Sequence, residues 1–463
     1  MMHLYKSIDN ILKHQPETWL AYLHGQQLRN MPHLTRTPPL FRGLWLQLVK
    51  FFLIMLRLFS FRRGLDCSTA KFLFFCGSLN QQNSLNTTIE SLKNRGESIV
   101  IVSTSNLARN EEADHYLSIR FSFLDICNSL ILLVKKGPAL YRELNNIHPV
   151  AVSWYFSNFC SVYLYLCYFY RVLESLRPEF VVTANDHSAP NRCMLAVACE
   201  LKIKTVYMQH ASVSNLFPAL QVHYAFLDGQ YAMDIYQNCV KNRVPSDKKP
   251  PNTKILLTGQ KKTLTRSFAL KKNIVGVALN ALDHADDAIK LVKKLLSLDL
   301  TVRLRWHPGQ SDSDIKKYLT AFRGEARVSL SNPVNEPVAE FMGKIGWLVA
   351  GNSSIHLEAA LSGVIPIYYT IAGSDLHDYY GYVRHGLASL ARTPEEIIKI
   401  VNETNDTYND NIEPIRYYSS TYLTEWDGKE GQLVAECLVR ISRNQSLPIE
   451  MVSLDNPTSK VSI

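Results

Sequence analysis

The residues best suited to chemistry lie in the run Gly351-Asn352-Ser353-Ser354-Ile355-His356-Leu357-Glu358-Ala359-Ala360-Leu361-Ser362-Gly363, a small polar turn between an apolar run and an amphipathic helix. A turn that opens a helix leaves its first backbone N–H groups unpaired beside the positive end of the helix dipole, which suits a phosphate. The Ser353 and Ser354 hydroxyls would add donors, and Glu358, one helical turn on, could meet a ribose hydroxyl. The plainer alternative is that Ser353 or Ser354 simply caps the helix. A second element bears on the choice: Val302 to Trp306 has the pattern of a strand, and His307-Pro308-Gly309 follows at its C-terminal end, where open α/β sheets bind ligands. Proline fixes the outgoing chain and holds the imidazole at the sheet edge. A loop histidine alone carries little; beside Ser353-Ser354 in one sheet it points to a phosphate site.

The elements that must hold these residues can be read from the pattern. Trp347 to Ala350 and Val364 to Tyr369 read as buried parallel strands around the Ser-Ser turn. Upstream, Lys71 to Phe75, Leu85 to Lys93 and Ser98 to Val102 read as strand, helix and strand. Phe180 to Thr183 and Thr205 to Met208 read as further strands, the first followed by Asn185-Asp186 and Arg192, the second by Gln209-His210. A polar, proline-bearing stretch, Asn242 to Thr253, reads as a linker, after which strands and helices alternate again from Asn273 to Asn402. Two doubly wound α/β halves are expected, an N-terminal domain over residues 69–245 and a C-terminal one over 254–440. A polar tail over 444–463 is expected to lack structure.

The chain has 463 residues and a net charge of +9, and residues 1–64 hold nine Lys or Arg against Asp9 and Glu17. That concentration assigns +7 to the first 64 residues and leaves +2 for the rest, so a nucleic-acid groove in the body is not indicated. Residues 1–68 therefore read as a basic N-terminal arm. Within it, Leu44 to Phe61 reads as a helix with Arg42, Gln47, Lys50, Arg57 and Ser60 in an arc of roughly 140°. A helix lying in an anionic membrane surface is the leading expectation, ahead of a core helix and a transmembrane span. Trp154 to Tyr170, equally apolar, runs straight into a strand and reads as a buried helix. The nine cysteines are scattered, with no C-x-x-C pair, which fits a reduced cytoplasmic protein without a zinc site.

Asn185-Asp186 with Arg192, Gln209-His210, His307-Pro308 and Ser353-Ser354 with Glu358-Ala359-Ala360 together resemble the GT-B glycosyltransferases that assemble bacterial surface polysaccharides such as capsule and O-antigen. Bacterial polysialyltransferases and CDP-glycerol glycerophosphotransferases are the most similar in pattern, over roughly residues 70 to 440. The resemblance implies two Rossmann-like domains facing across a cleft, with His307, Ser353 and Ser354 on the phosphate of a nucleotide-activated donor and Glu358 on its ribose. An acidic Asp/Glu-Asp/Glu-Gly motif of the polysialyltransferases has no match, since Asp228-Gly229 lacks the doubled acid; this speaks against a sialic acid donor.

Group transfer also needs a base for the acceptor proton. Asp186 is the first choice, with helix capping as its alternative, and His210 the second; Arg192 is a candidate for an acceptor carboxylate or phosphate, with pairing to a surface acid as its alternative. His187, His356 and His377 have no context that marks them. Neither a metal nor a cofactor is expected. The expected partners are a nucleotide-activated sugar donor, a glycan or lipid-linked glycan acceptor and an anionic membrane surface, on the inner face of the cytoplasmic membrane. A CDP-alditol phosphotransferase, a nucleotide-sugar epimerase and a non-catalytic partner in polysaccharide assembly are the competing readings.

Overall fold

A computed structural model describes residues 2–21, 40–61, 69–104, 113–215, 217–242, 252–261, 274–280, 283–371, 378–403 and 412–455. Most of the expected linker, His377 and residues 456–463 of the expected tail lie outside the described residues. In the first half the elements run α1 (Met2–His14), α2 (Glu17–Ala21), α3 (Leu44–Arg57), β1 (Phe72–Cys76), α4 (Leu79–Asn94), β2 (Ile99–Ser103), β3 (His115–Ser118), α5 (Phe123–Ile147), α6 (Pro149–Leu176), β4 (Phe180–Thr183), α7 (Ala189–Glu200), β5 (Lys204–Met208), β6 (Tyr224–Leu227), α8 (Gln230–Asn238) and β7 (Lys254–Leu257). In the second half they run β8 (Ile274–Ala278), α9 (Ala285–Ser297), β9 (Thr301–Arg305), α10 (Asp312–Ala321), β10 (Val328–Ser331), α11 (Val338–Met342), β11 (Trp347–Ala350), α12 (Ile355–Leu361), β12 (Ile365–Tyr368), β13 (Ser389–Leu390), α13 (Pro394–Glu403), α14 (Ile412–Tyr418), α15 (Glu430–Ser442) and β14 (Met451–Ser453).

Two sheets result, ordered β14-β7-β6-β5-β4-β1-β2-β3 and β10-β9-β8-β11-β12-β13, parallel throughout except for β14 against β7. The short apolar strands Phe72–Cys76, Ile99–Ser103 and Trp347–Ala350 are buried along their whole length, as strands covered by helices on both faces must be. This is the GT-B arrangement of two Rossmann-like domains.

Three boundaries differ from the sequence expectation. The described part of residues 1–68 is no separate arm: Ile8, Ile11, Leu12, Trp19, Leu20, Phe51 and Met55 are buried in the same core as α6 and α7. Ile8, Ile11 and Leu12 stand three and four apart, one face of α1, and that face is what docks. The described part of the tail is ordered, because Met451–Ser453 pairs antiparallel with β7 and adds an edge strand to the first sheet. The domain boundary also falls later than expected, since β7 closes the first sheet and α15 returns to pack on α4 with Leu433, Val434, Cys437 and Leu438 in the first domain's core. Helix α6, the expected buried helix, is enclosed by its neighbours along most of its length.

The chain leaves the first sheet after β7 through 258–261, and 419–430 packs beside that segment. Within it Gly259 has φ +72°, and a Cβ there would overlap Thr421, so only glycine fits. Lys261 Nζ is buried and donates to Asp228 Oδ1 (2.9 Å) and to Gly259 O (2.8 Å), tying the segment to the end of β6.

Candidate active site

In the second sheet the chain leaves β8 for β9 and β10 on one side, then returns to β11, β12 and β13 on the other. The order reverses between β8 and β11, and the crevice at such a reversal is where doubly wound sheets take ligands. Ser353-Ser354 follows β11 and His307 follows β9. Strands β9 and β11 both pair with β8, which sets them about 10 Å apart at ~4.8 Å per strand.

The turn after β11 is anchored from below. Tyr368 Oη donates to Asn352 Oδ1 (2.8 Å), which also accepts the Tyr379 N–H (3.0 Å). His356, wholly buried in α12, donates from Nε2 to Gly351 O (2.9 Å) and stacks on Tyr368. A carbonyl only accepts, so that nitrogen carries the proton. Burial pushes the His356 imidazole down to about 4, against hydrogen bonds to backbone carbonyls that favour its charge, and it is neutral at physiological pH. The histidine that the sequence left unmarked thus shapes the turn.

The two serines divide the alternatives between them. Ser353 Oγ accepts the Ile355 N–H (3.4 Å), a local turn bond. Ser354, at φ −64° and ψ −11°, makes no capping bond with its hydroxyl, so the simple N-cap reading does not describe it. His307 is exposed, and its Nδ1 accepts the Gly309 N–H (3.0 Å). Its proton is thereby assigned to Nε2, and burial of part of the ring holds its pKa below the ordinary value. Gln310 Nε2 joins this loop to the one after β8 through Asp283 O (3.2 Å) and to Tyr318 Oη (2.9 Å).

Glu358 is only 5% exposed and lies in the field of Arg305, a buried cation at the end of β9. Desolvation lowers the Arg305 pKa while Glu336 and Glu358 oppose it; Arg305 Nη1 donates to Ser331 Oγ (2.8 Å) and its guanidinium lies over Phe341. Glu358 thus adds to the negative field that opposes desolvation of Arg305, behind Glu336; Arg305 is a residue that sequence reasoning passed over as part of a strand.

The first sheet reverses between β1 and β4, beside Gly77-Ser78 and Asn185–His187. Ser78 caps α4, accepting from Gln81 N (3.4 Å), while Gln81 Oε1 accepts the Gly77 N–H (2.9 Å). Asp186 Oδ1 stands 2.6 Å from His187 Nδ1, whose ring sits edge-on to Phe217. Burial raises the Asp186 pKa, but His187 and then Arg192 outweigh it and hold the carboxyl below its usual range. Arg192 lines a small cavity with Asp186 and Trp19. It is 5% exposed, donates to Asp186 O (2.6 Å) and Trp19 O (2.6 Å) and stacks 4.0 Å from the Trp19 ring. It ties α2 to the Asp186 loop, which the sequence could not reveal because 173 positions separate the partners. His210, half-buried, follows β5, where Gln209 spans Asp228 N (2.9 Å) and Ala211 O (3.1 Å).

The C-terminal edges of the two sheets meet. Ser212 Oγ bonds Tyr382 Oη (2.7 Å) and Ser214 Oγ bonds Tyr379 Oη (2.7 Å), so the loop carrying His210 touches the segment that anchors Asn352. His307 follows β9 and Ser353-Ser354 follows β11 at the C-terminal edge of the second sheet; Asp186 follows β4 and His210 follows β5 at the C-terminal edge of the first; Glu358 and Arg192 are each 5% exposed.

No protein-family model matches the chain. No curated protein matches its sequence. Among solved structures it is similar to a putative UDP-N-acetylglucosamine 2-epimerase from Listeria monocytogenes, at 12% identity and a TM-score of 0.52 over 83% of this chain and 99% of that one. It is similar also to S. aureus MnaA solved with UDP, at 11% identity and a TM-score of 0.50 over 82% and 99%. The calicheamicin glycosyltransferase CalG4 aligns at 12% identity and a TM-score of 0.48 over 81% and 99%. At such identities the likeness is one of fold.

Proposed function

We propose that the protein transfers a glycosyl unit from a nucleotide-activated donor to a growing surface glycan, with lipid-linked glycans at the cytoplasmic membrane face as its acceptors. The observation that carries this reading is the pair of donors at the second sheet's reversal: the Ser354 hydroxyl, unused as a cap, and the His307 imidazole with its proton on Nε2. Both suit the negative charge that grows on a departing phosphate, and one such donor is typically worth a hundredfold or more in rate.

In the proposed mechanism the nucleotide lies over the turn Gly351–Ser354. The acceptor hydroxyl attacks the anomeric carbon, the bond from that carbon to the phosphate oxygen breaks, and the acceptor proton passes to a base on the opposing sheet edge. Asp186 is the leading base, ionised at neutral pH and paired with His187. His210 is the second choice.

Incubation with CMP-, CDP-, UDP- and GDP-sugars, with and without glycan acceptors, followed by mass spectrometry, tests the reading. A donor-dependent mass increase on the acceptor supports it. A donor converted to its epimer without acceptor, or a transferred alditol phosphate, would replace it with one of those activities. No turnover of any donor would leave a binding role.

A further inference from the structure

We infer that the outward faces of α3 and α5 form one docking surface for an anionic lipid bilayer. The inward face of α3 is fully accounted for: Gln47, Phe51 and Met55 are buried against α6, Gln47 Oε1 accepting from Ser157 Oγ (2.7 Å). Its outward face is as apolar as its core face, with Trp45 75% and Leu56 72% exposed and Phe52 and Leu53 nearly half exposed. These stand at helical spacing and form a stripe. Helix α5 continues it. Phe123 (64%), Leu124, Ile131 and Val134 (76%) point outward, while Leu132, Leu140 and Leu144 pack inward.

The two helices belong to one surface. Leu58 O accepts the Phe121 N–H (2.8 Å) and Phe121 O accepts the Ser60 N–H (2.9 Å), joining the end of α3 to the start of α5, and both helices pack on α6. Among the described residues nothing covers either stripe. A soluble surface rarely leaves an apolar patch of this extent without a partner.

Charge selects the partner. Helix α3 carries Lys50 and Arg57 and no acid, with Arg42 just before it; Arg120 and Lys135 flank the α5 stripe. The acids of α5 are Asp125, buried under Arg171, and Glu143, near the far end. Asp9, 60% exposed, pairs with Lys136 of α5, so the acids near the stripe are few and the cations outnumber them; a large aromatic and aliphatic stripe with that balance fits anionic headgroups over acyl chains. A second copy of the chain would bring its own cations against these. The surface adds a place of action to the proposed transfer and rests on that reading only for its purpose.

The experiment is flotation of the full chain with phosphatidylcholine vesicles, with and without phosphatidylglycerol. Wild type should bind the anionic vesicles, and high salt should weaken the binding. Lys50→Gln and Arg57→Gln should each weaken it about fivefold. Val134→Glu on α5 and Leu56→Glu on α3 should each weaken it tenfold or more, with unchanged melting temperatures. Loss with Leu56→Glu but not with Val134→Glu would overturn the two-helix surface. No binding by wild type, or a wild-type dimer that Val134→Glu dissociates, would overturn the lipid assignment. Nucleotide-induced melting shifts, measured on the same variants, report the active site separately: their absence with binding intact would sink the proposed transfer and leave the docking surface standing.

Discussion

His356 offers a quantitative check on how the turn of the candidate donor site is built. Its imidazole is held neutral by burial, with Nε2 on Gly351 O, and its pKa falls from 6.5 to about 4. A group with a depressed folded-state pKa gives its full stability above the unfolded value and loses it as pH falls. The loss therefore begins near 6.5, where the unfolded chain starts to take up the proton, and is complete near 4. At 1.36 kcal/mol per pH unit the interval amounts to roughly 3 kcal/mol. In His356→Gln the amide can still donate to Gly351 O, but nothing titrates. Melting temperatures of wild type and variant between pH 7.5 and 4 measure the difference, other titrating groups being common to both. At roughly 2–4 °C per kcal/mol for a domain of this size, the wild-type curve should fall more steeply by about 6–12 °C over that range. Parallel curves would refute the neutral, buried assignment of His356.

Three further outcomes follow from the same structure. Lys261→Met leaves Asp228 buried without its cation beside the segment after β7 and should cost about 3–5 kcal/mol by chemical denaturation, whereas replacing Lys261 and Asp228 together should cost less than the single change. Tyr382→Phe removes the bond to Ser212 between the domains and should lower kcat more than it raises the KM for the donor; an effect confined to KM would show that the contact serves binding alone. Deletion of residues 1–57 strips Ile8, Leu20, Phe51 and Met55 from the first domain's core and should yield aggregated protein, while a soluble, folded product would contradict the packing of α1 to α3.

The second domain was the more legible half, because its buried parallel strands are continuous apolar runs bounded by polar turns. Trp347 to Ala350 matches β11 residue for residue, and the strands around His307 lie within one position of those expected. The first domain was harder. Nothing in Met451-Val452-Ser453 distinguishes a strand, since three residues at an edge are defined only by the β7 backbone they pair with. Leu44 to Phe61 showed its amphipathic pattern, but both of its faces carry large apolar residues, and periodicity does not say which one meets the core. The site divides in the same way. Ser353, Ser354 and His307 were visible because strand ends place them; Arg305 against Ser331 and Arg192 against Trp19 depend on contacts between separate segments, and His356 under Gly351 depends on how the turn after β11 folds back on its own helix.

The most direct test of the account is whether a nucleotide binds at the second sheet's reversal through Ser354 and His307. Melting temperatures measured with CMP, CDP, UDP and GDP, at a concentration about 100 times Kd for any that binds, should reveal one that stabilises wild type by roughly 2.7 kcal/mol. That stabilisation should be largely lost in Ser354→Ala and His307→Ala, whose melting temperatures without nucleotide should stay close to wild type. An undiminished shift in both variants, or no shift with any nucleotide in wild type, would contradict the assignment of the donor site.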